Sequence, residues 1–153
     1  MHDRAGEWRP QPVYLLDVNV LIALLDPMHT QHQRAHQWFA SEVTTWASCA
    51  LTENGYVRIV SQPRYPNALA TPTQAVALLA DLCARPDHRF WAGEQSLLDG
   101  DAIHAERLLS AGQVTDTWLL ALAVRHGGML ATFDKRLVSD AVVGGDRALQ
   151  LIE

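Results

Sequence analysis

Val13-Tyr14-Leu15-Leu16-Asp17-Val18-Asn19-Val20-Leu21-Ile22-Ala23-Leu24-Leu25 is almost wholly apolar, interrupted by one carboxylate and one carboxamide. Val13 to Leu16 reads as a strand covered on both faces, the pattern of a parallel sheet, and helix-like sequence follows from Asn19 until Asp26-Pro27 closes it. Strand then helix across a short link opens an α/β unit. Taken alone, Asp17 has two readings. It ends a buried strand while Asn19 caps the next helix, as Asx side chains do for orphan N–H groups. Otherwise it stands at the carboxyl end of a parallel strand, where open α/β sheets place their ligands.

Outward from that stretch the same alternation continues. Thr30-Gln31-His32-Gln33 matches a capping box and predicts a helix to about Glu42, with Ala35, Trp38 and Phe39 on its apolar stripe. Thr44 to Ser48 has strand character, and Ala50 to Val60 reads as a helix with Glu53 in its first turn, where the helix dipole favours an acid. Thr71-Pro72-Thr73-Gln74 is a second capping box, for a helix ending near Arg85-Pro86, and His88 to Ala92 is a short strand. Asp101 is expected to cap a helix that turns Ile103, Leu108 and Leu109 inward. Thr115 to His126 is apolar nearly all round, so it should be a buried helix stopped by Gly127-Gly128. Met129 to Thr132 is the next strand, and Ala148 to Ile152 offers a last edge strand. The fold class is therefore α/β, an α/β/α sandwich around a mainly parallel sheet, in one domain from 13 to 153. Residues 1–12, with Gly6, Pro10, Pro12 and no period, read as a flexible arm that Trp8 could anchor.

The 153 residues suffice for one substantial core, and 48% hydrophobic against 19% charged residues excludes a disordered chain. A net charge of -5 repels nucleic acid in bulk, which argues against a simple basic-patch binder. A polyanionic substrate would need metal ions or local arginines. Cys49 and Cys83, in apolar surroundings and without C-x-x-C spacing, read as free thiols in a reducing compartment. No leader or membrane span is recognisable, so the expected location is cytoplasmic. His29, His32 and His36 share one helical side, yet no cysteine or acid completes a metal set, and they read as ordinary packed histidines.

Four acids, Asp17, Glu53, Asp116 and Asp134, lie at strand ends or in first helical turns, where one cleft could gather them all. Carboxylates that close repel strongly unless protons or a divalent cation neutralise them. Oxygen-only donors favour Mg²⁺ or Mn²⁺ over Zn²⁺, and such ions activate water and bridge phosphate oxygens, so a phosphodiester is the natural substrate. Arg58 and the rigid loop carrying Arg64 and Tyr65 add candidate RNA contacts, since arginine grips phosphate and tyrosine stacks on bases.

Leu16-Asp17-Val18-Asn19-Val20-Leu21, Thr52-Glu53-Asn54-Gly55, Thr115-Asp116 and Ala131-Thr132-Phe133-Asp134, each opening or ending an element in that order, resemble the acidic motifs of PIN-domain ribonucleases. With Val57-Arg58-Ile59 running into Pro63-Arg64-Tyr65-Pro66, the chain from Val13 to Ile152 resembles VapC toxins of type II VapBC toxin–antitoxin modules. The resemblance implies a Mg²⁺- or Mn²⁺-dependent endoribonuclease in which Asp17, Glu53, Asp116 and Asp134 are catalytic metal-binding acids and Asn19 and Thr132 orient them. It also implies attack by a metal-activated water that leaves a 3′-hydroxyl and a 5′-phosphate, a homodimer, and silencing by a VapB-type antitoxin that Arg58, Arg64 or Tyr65 could contact. Two rivals remain. A haloacid-dehalogenase-like phosphatase needs an acid where this chain has Asn19, which cannot relay a catalytic proton. A catalytically inactive PIN-like module that binds RNA or a partner is the other.

Overall fold

In a computed structural model that describes residues 11–67 and 70–153, five parallel strands form one sheet in the order β3-β2-β1-β4-β5. They are β1 (Val13–Leu16), β2 (Thr45–Cys49), β3 (His88–Trp91), β4 (Met129–Thr132) and β5 (Leu149–Leu151). The helices are α1 (Val18–Leu25), α2 (His32–Glu42), α3 (Ala50–Val60), α4 (Pro72–Cys83) and α5 (Gln113–Arg125). Apart from residues 11 and 12, the expected arm lies outside the described residues, as does the anchoring role suggested for Trp8.

The chain lays β1, β2 and β3 outward in one direction, then returns to place β4 on the opposite side of β1. That reversal creates a crevice at the carboxyl ends of β1 and β4, the position at which doubly wound sheets bind ligands. Register fixes its two walls. Leu16 pairs with Ala131, so Asp17 emerges beside Thr132.

Successive strand residues point to opposite faces, and the two faces carry separate cores. Tyr14, Leu16 and Trp46 of the sheet pack with α1 to α4 through Leu21, Trp38, Tyr56 and Leu79, whereas Leu15 and Leu130 pack with Leu119, Leu120 and Leu122 of α5. Leu15, Leu16, Leu120 and Leu130 are wholly buried, the double coverage that the apolar run at Val13 predicts. The α/β/α sandwich is thus observed. α4 begins with the expected reciprocal box, in which Thr71 Oγ1 accepts from the Gln74 N–H and Gln74 Oε1 from the Thr71 N–H. α5 ends at His126 and turns out through Gly127, whose φ of 67° is the left-handed conformation that glycine adopts without strain.

Three local expectations need correction. α1 is capped by Asp17, not Asn19: the Asp17 carboxylate accepts from the Val18 N–H at 2.7 Å, while Asn19 sits exposed within the helix. The Thr30–Gln33 box does not form, because His29 Nδ1 takes the Gln31 N–H and α2 starts at His32. His32 and His36 contact the carbonyl oxygens of Ala23 and Leu24, tying α2 to the end of α1 as packed histidines do. No helix follows Asp101 either. Ile103 is buried through an antiparallel bridge to Val142, and a single 3₁₀ turn at Ala105–Arg107 leaves Leu109 exposed.

Candidate functional site

Asp17 is 7% exposed, and each of its carboxylate oxygens has a protein donor. Oδ1 accepts from the Val18 N–H and Oδ2 from the Thr132 hydroxyl at 2.8 Å. Thr132 Oγ1 in turn accepts from the Asp134 N–H at 3.1 Å, so one buried hydroxyl fixes the first acid and the turn that carries the last. Asp116 lies in the first turn of α5 and lines one cavity with Asp134. Its carboxyl is pushed up to about 6, first by burial and then by the charges of Asp17 and Asp134. Burial also raises Asp17, with Asp134 adding to the effect and the hydrogen bonds from Thr132 and Val18 opposing it. Three aspartates therefore share one electrostatic site. Like charges gathered in a partly dry crevice favour a divalent cation, and carboxylate and hydroxyl oxygens are the donors that Mg²⁺ and Mn²⁺ prefer.

Two cavities flank this centre. One of about 620 Å³ is lined by Asp17, Asn19, Asn54, Gly55, Arg58 and Thr115 among others, and one of about 420 Å³ by Gln113, Asp116, Asp134 and Arg136 among others. Their walls combine acids with amides and a guanidinium, chemistry suited to a sugar–phosphate chain.

Glu53 is not drawn into the aspartate centre. Its Oε2 accepts the Ser48 hydroxyl at 2.6 Å, and Ser48 Oγ also lies 2.8 Å from His88 Nε2. Neighbouring helical residues point about 100° apart, so Glu53 faces the β2–β3 edge while Asn54 faces Asp17. Burial lowers the His88 imidazole, with Arg89 adding to the effect, against the opposing influence of Glu53, the Cys83 backbone and Asp87.

The model of the PIN domain matches residues 14–141. Ribonuclease VapC44 of Mycobacterium tuberculosis is 48% identical over 134 residues, covering 87% of this chain and 94% of that protein. The chain belongs to the PIN-domain family, among the VapC ribonucleases. Two solved structures share the fold at low identity. VapC20 of Mycobacterium tuberculosis, a sarcin-ricin-loop-cleaving toxin, superposes with a TM-score of 0.59 at 16% identity, over 85% of this chain and 96% of its own. VapBC2 from Rickettsia felis, bound to a DNA fragment from its promoter, superposes with a TM-score of 0.56 at 14% identity, over 91% and 96%.

Of the other residues singled out from sequence, Arg58 stands exposed at the rim of the Asp17 cavity, and Arg64 is exposed in the turn after α3. Tyr65 has a different occupation in this VapC-family chain. Its hydroxyl donates to the wholly buried Asp26, which also accepts from Asn67 at 2.6 Å and from the Met28 N–H. Burial would raise Asp26; these donors and nearby His29 outweigh it and hold the carboxyl below its ordinary range. Sequence reasoning passed over Asn54, Arg136 and the Ser48–His88 pair. Asn54 was legible only as the neighbour of Glu53, whereas Ser48 and His88 meet because β2 and β3 pair.

Proposed function

We propose that this chain is a toxin-type endoribonuclease that hydrolyses RNA phosphodiesters and is restrained by a VapB-type antitoxin. One observation carries the reading: at the topological switch of the sheet, Thr132 Oγ1 joins the Asp17 carboxylate to the turn that bears Asp134, and Asp116 in the first turn of α5 supplies a third acid that feels the charge of both. The 48% identity to a VapC ribonuclease over most of both chains supports it. Mg²⁺ is the expected ion, with Mn²⁺ a substitute, and such an ion, when bound, lowers the pKa of water and offsets charge on phosphate.

The protein's own contribution is positioning. Thr132 and the Val18 N–H lock Asp17 in one rotamer, so its carboxylate presents a fixed face to the crevice. Asp116, at about 6, is mostly ionised at neutral pH and available as a ligand or as acceptor of a proton from the attacking water. Asp134 is exposed at the mouth, where it completes the negative centre. Asn19, Asn54 and Arg58 line the neighbouring cavity, where amides and guanidinium can orient ribose and phosphate. Glu53 enters this scheme only by leaving Ser48 or by acting through it.

A homodimer and a cytoplasmic location belong to the same reading. No helix among the described residues is long and apolar enough to cross a membrane. The experiment is cleavage of structured RNA by the purified protein with Mg²⁺, Mn²⁺ or chelator, alongside Asp17→Ala and Asp116→Ala. Metal-dependent product ending in a 3′-hydroxyl and abolished by either change is expected. Cleavage that ignores chelator or survives both substitutions would refute the mechanism, and RNA binding without product would favour the inactive binding module.

A further inference from the structure

We propose that Glu53, Cys83 and His88 form a second cation site, chemically unlike the aspartate centre, that takes a divalent ion of the Zn²⁺ class. One carboxylate oxygen, the thiol sulfur and one imidazole nitrogen all lie within 4.8 Å of one another, the only such trio of His, Cys, Asp or Glu donors found among the described residues. They come from three elements. Glu53 is in the first turn of α3, Cys83 is the last residue of α4 and His88 the first of β3, so the fold itself sets their spacing.

Their convergence has a visible focus. Ser48 Oγ lies 2.6 Å from Glu53 Oε2 and 2.8 Å from His88 Nε2, so two of the three donors already meet at one hydroxyl. The hydroxyl donates to Glu53 and can accept from the imidazole, and a cation would replace that pair of contacts by drawing on the carboxylate, the imidazole and the thiolate together. Tetrahedral zinc, with bonds of about 2.0–2.3 Å, sets its donors roughly 3.5 Å apart, so closure from the observed spacing asks for a side-chain movement on the order of 1 Å. The Trp46 ring packs 4.5 Å from the imidazole and restricts how it turns.

Donor chemistry separates this site from its neighbour. Sulfur, nitrogen and oxygen together select zinc over magnesium, and the all-oxygen aspartates select the reverse. Three protein ligands leave a fourth position for water. An ion here also holds the Glu53 carboxylate on the β2–β3 side, away from the aspartate crevice.

The test is Co²⁺ titration of the full-chain protein, followed by absorption spectroscopy. The expected result is one equivalent of Co²⁺ giving visible tetrahedral bands and a near-ultraviolet thiolate charge-transfer band, bleached by Zn²⁺ but not by excess Mg²⁺. Cys83→Ser should abolish the charge-transfer band, His88→Ala should weaken binding at least tenfold, and Asp17→Ala should leave both unchanged. Zn²⁺ should also protect Cys83 of the unaltered protein from alkylation, a readout that requires no variant to fold. Absence of the charge-transfer band, its survival in Cys83→Ser, or alkylation indifferent to Zn²⁺ would each overturn the site and leave only a hydrogen-bonded cluster around Ser48.

Discussion

Asp116 and Asp26 place carboxylates in partly or wholly buried positions with opposite consequences. Asp116 is raised to about 6 by burial and by Asp17 and Asp134, so the folded protein holds its proton more tightly than the unfolded chain does. Stability therefore falls as pH climbs from about 4 through about 6, and the penalty is complete above that. Asp116→Asn removes it: a gain on the order of 1 kcal/mol at pH 7.5, after allowance for partial exposure, should vanish near pH 4 in melts across that range. Mg²⁺ should raise the melting temperature of the unaltered protein more at pH 7.5 than at pH 5, and that of Asp116→Asn hardly at all. Asp26 is shifted downward, so its contribution is full above the ordinary carboxylate range and is lost as pH falls through its folded value. Tyr65→Phe deletes one of its donors and should cost about 1–3 kcal/mol at pH 7 in urea unfolding, with the deficit shrinking in acid. An undiminished deficit at low pH would assign the effect to packing.

At the scale of elements, α3 sets the width of the cleft, and Gly55 sets the distance of α3 from α1. A Cβ on Gly55 would lie 2.9 Å from Val18 Cγ2, and Val18 directly follows the Asp17 cap. Gly55→Ala should force the helices apart and destabilise by about 1–3 kcal/mol, with RNA cleavage falling by more than thermal unfolding at the assay temperature explains. Full activity in a destabilised protein would show that the cleft tolerates the shift. The same helix marks how far sequence could be read. The strand–helix step at Asp17, the Thr71 box and the Gly127 stop depend on neighbours within a few positions, and each was legible. Thr132 beside Asp17 was legible too, since parallel pairing puts one strand end next to the other. The direction of Glu53 was not, because its carboxylate takes the Ser48 hydroxyl, which is set beside His88 only when β3 pairs with β2. The helix expected after Asp101 failed for a related reason: a long-range bridge to Val142 buries Ile103 without helical turns.

The whole molecule sets an acidic body against a polyanionic substrate, and its net charge of -5 leaves RNA affinity to local groups. Arg58 lines the cavity beside Asp17, Arg136 the one beside Asp116 and Asp134, and Arg64 is exposed after α3. Each can neutralise one phosphate. Single-stranded RNA releases about 0.7 counterion per contact, so three contacts give a slope of roughly -2 in a plot of log affinity against log salt. Measured in chelator, where the mechanism forbids cleavage, the unaltered protein should show that shallow slope. Arg58→Ala should reduce its magnitude by just under one and weaken binding of different RNA sequences to similar extents, as loss of a phosphate contact does. A slope unchanged by Arg58→Ala, or a loss confined to one sequence, would remove Arg58 from the phosphate path. The second outcome would make it a reader of bases, beside the proposed carboxylate centre.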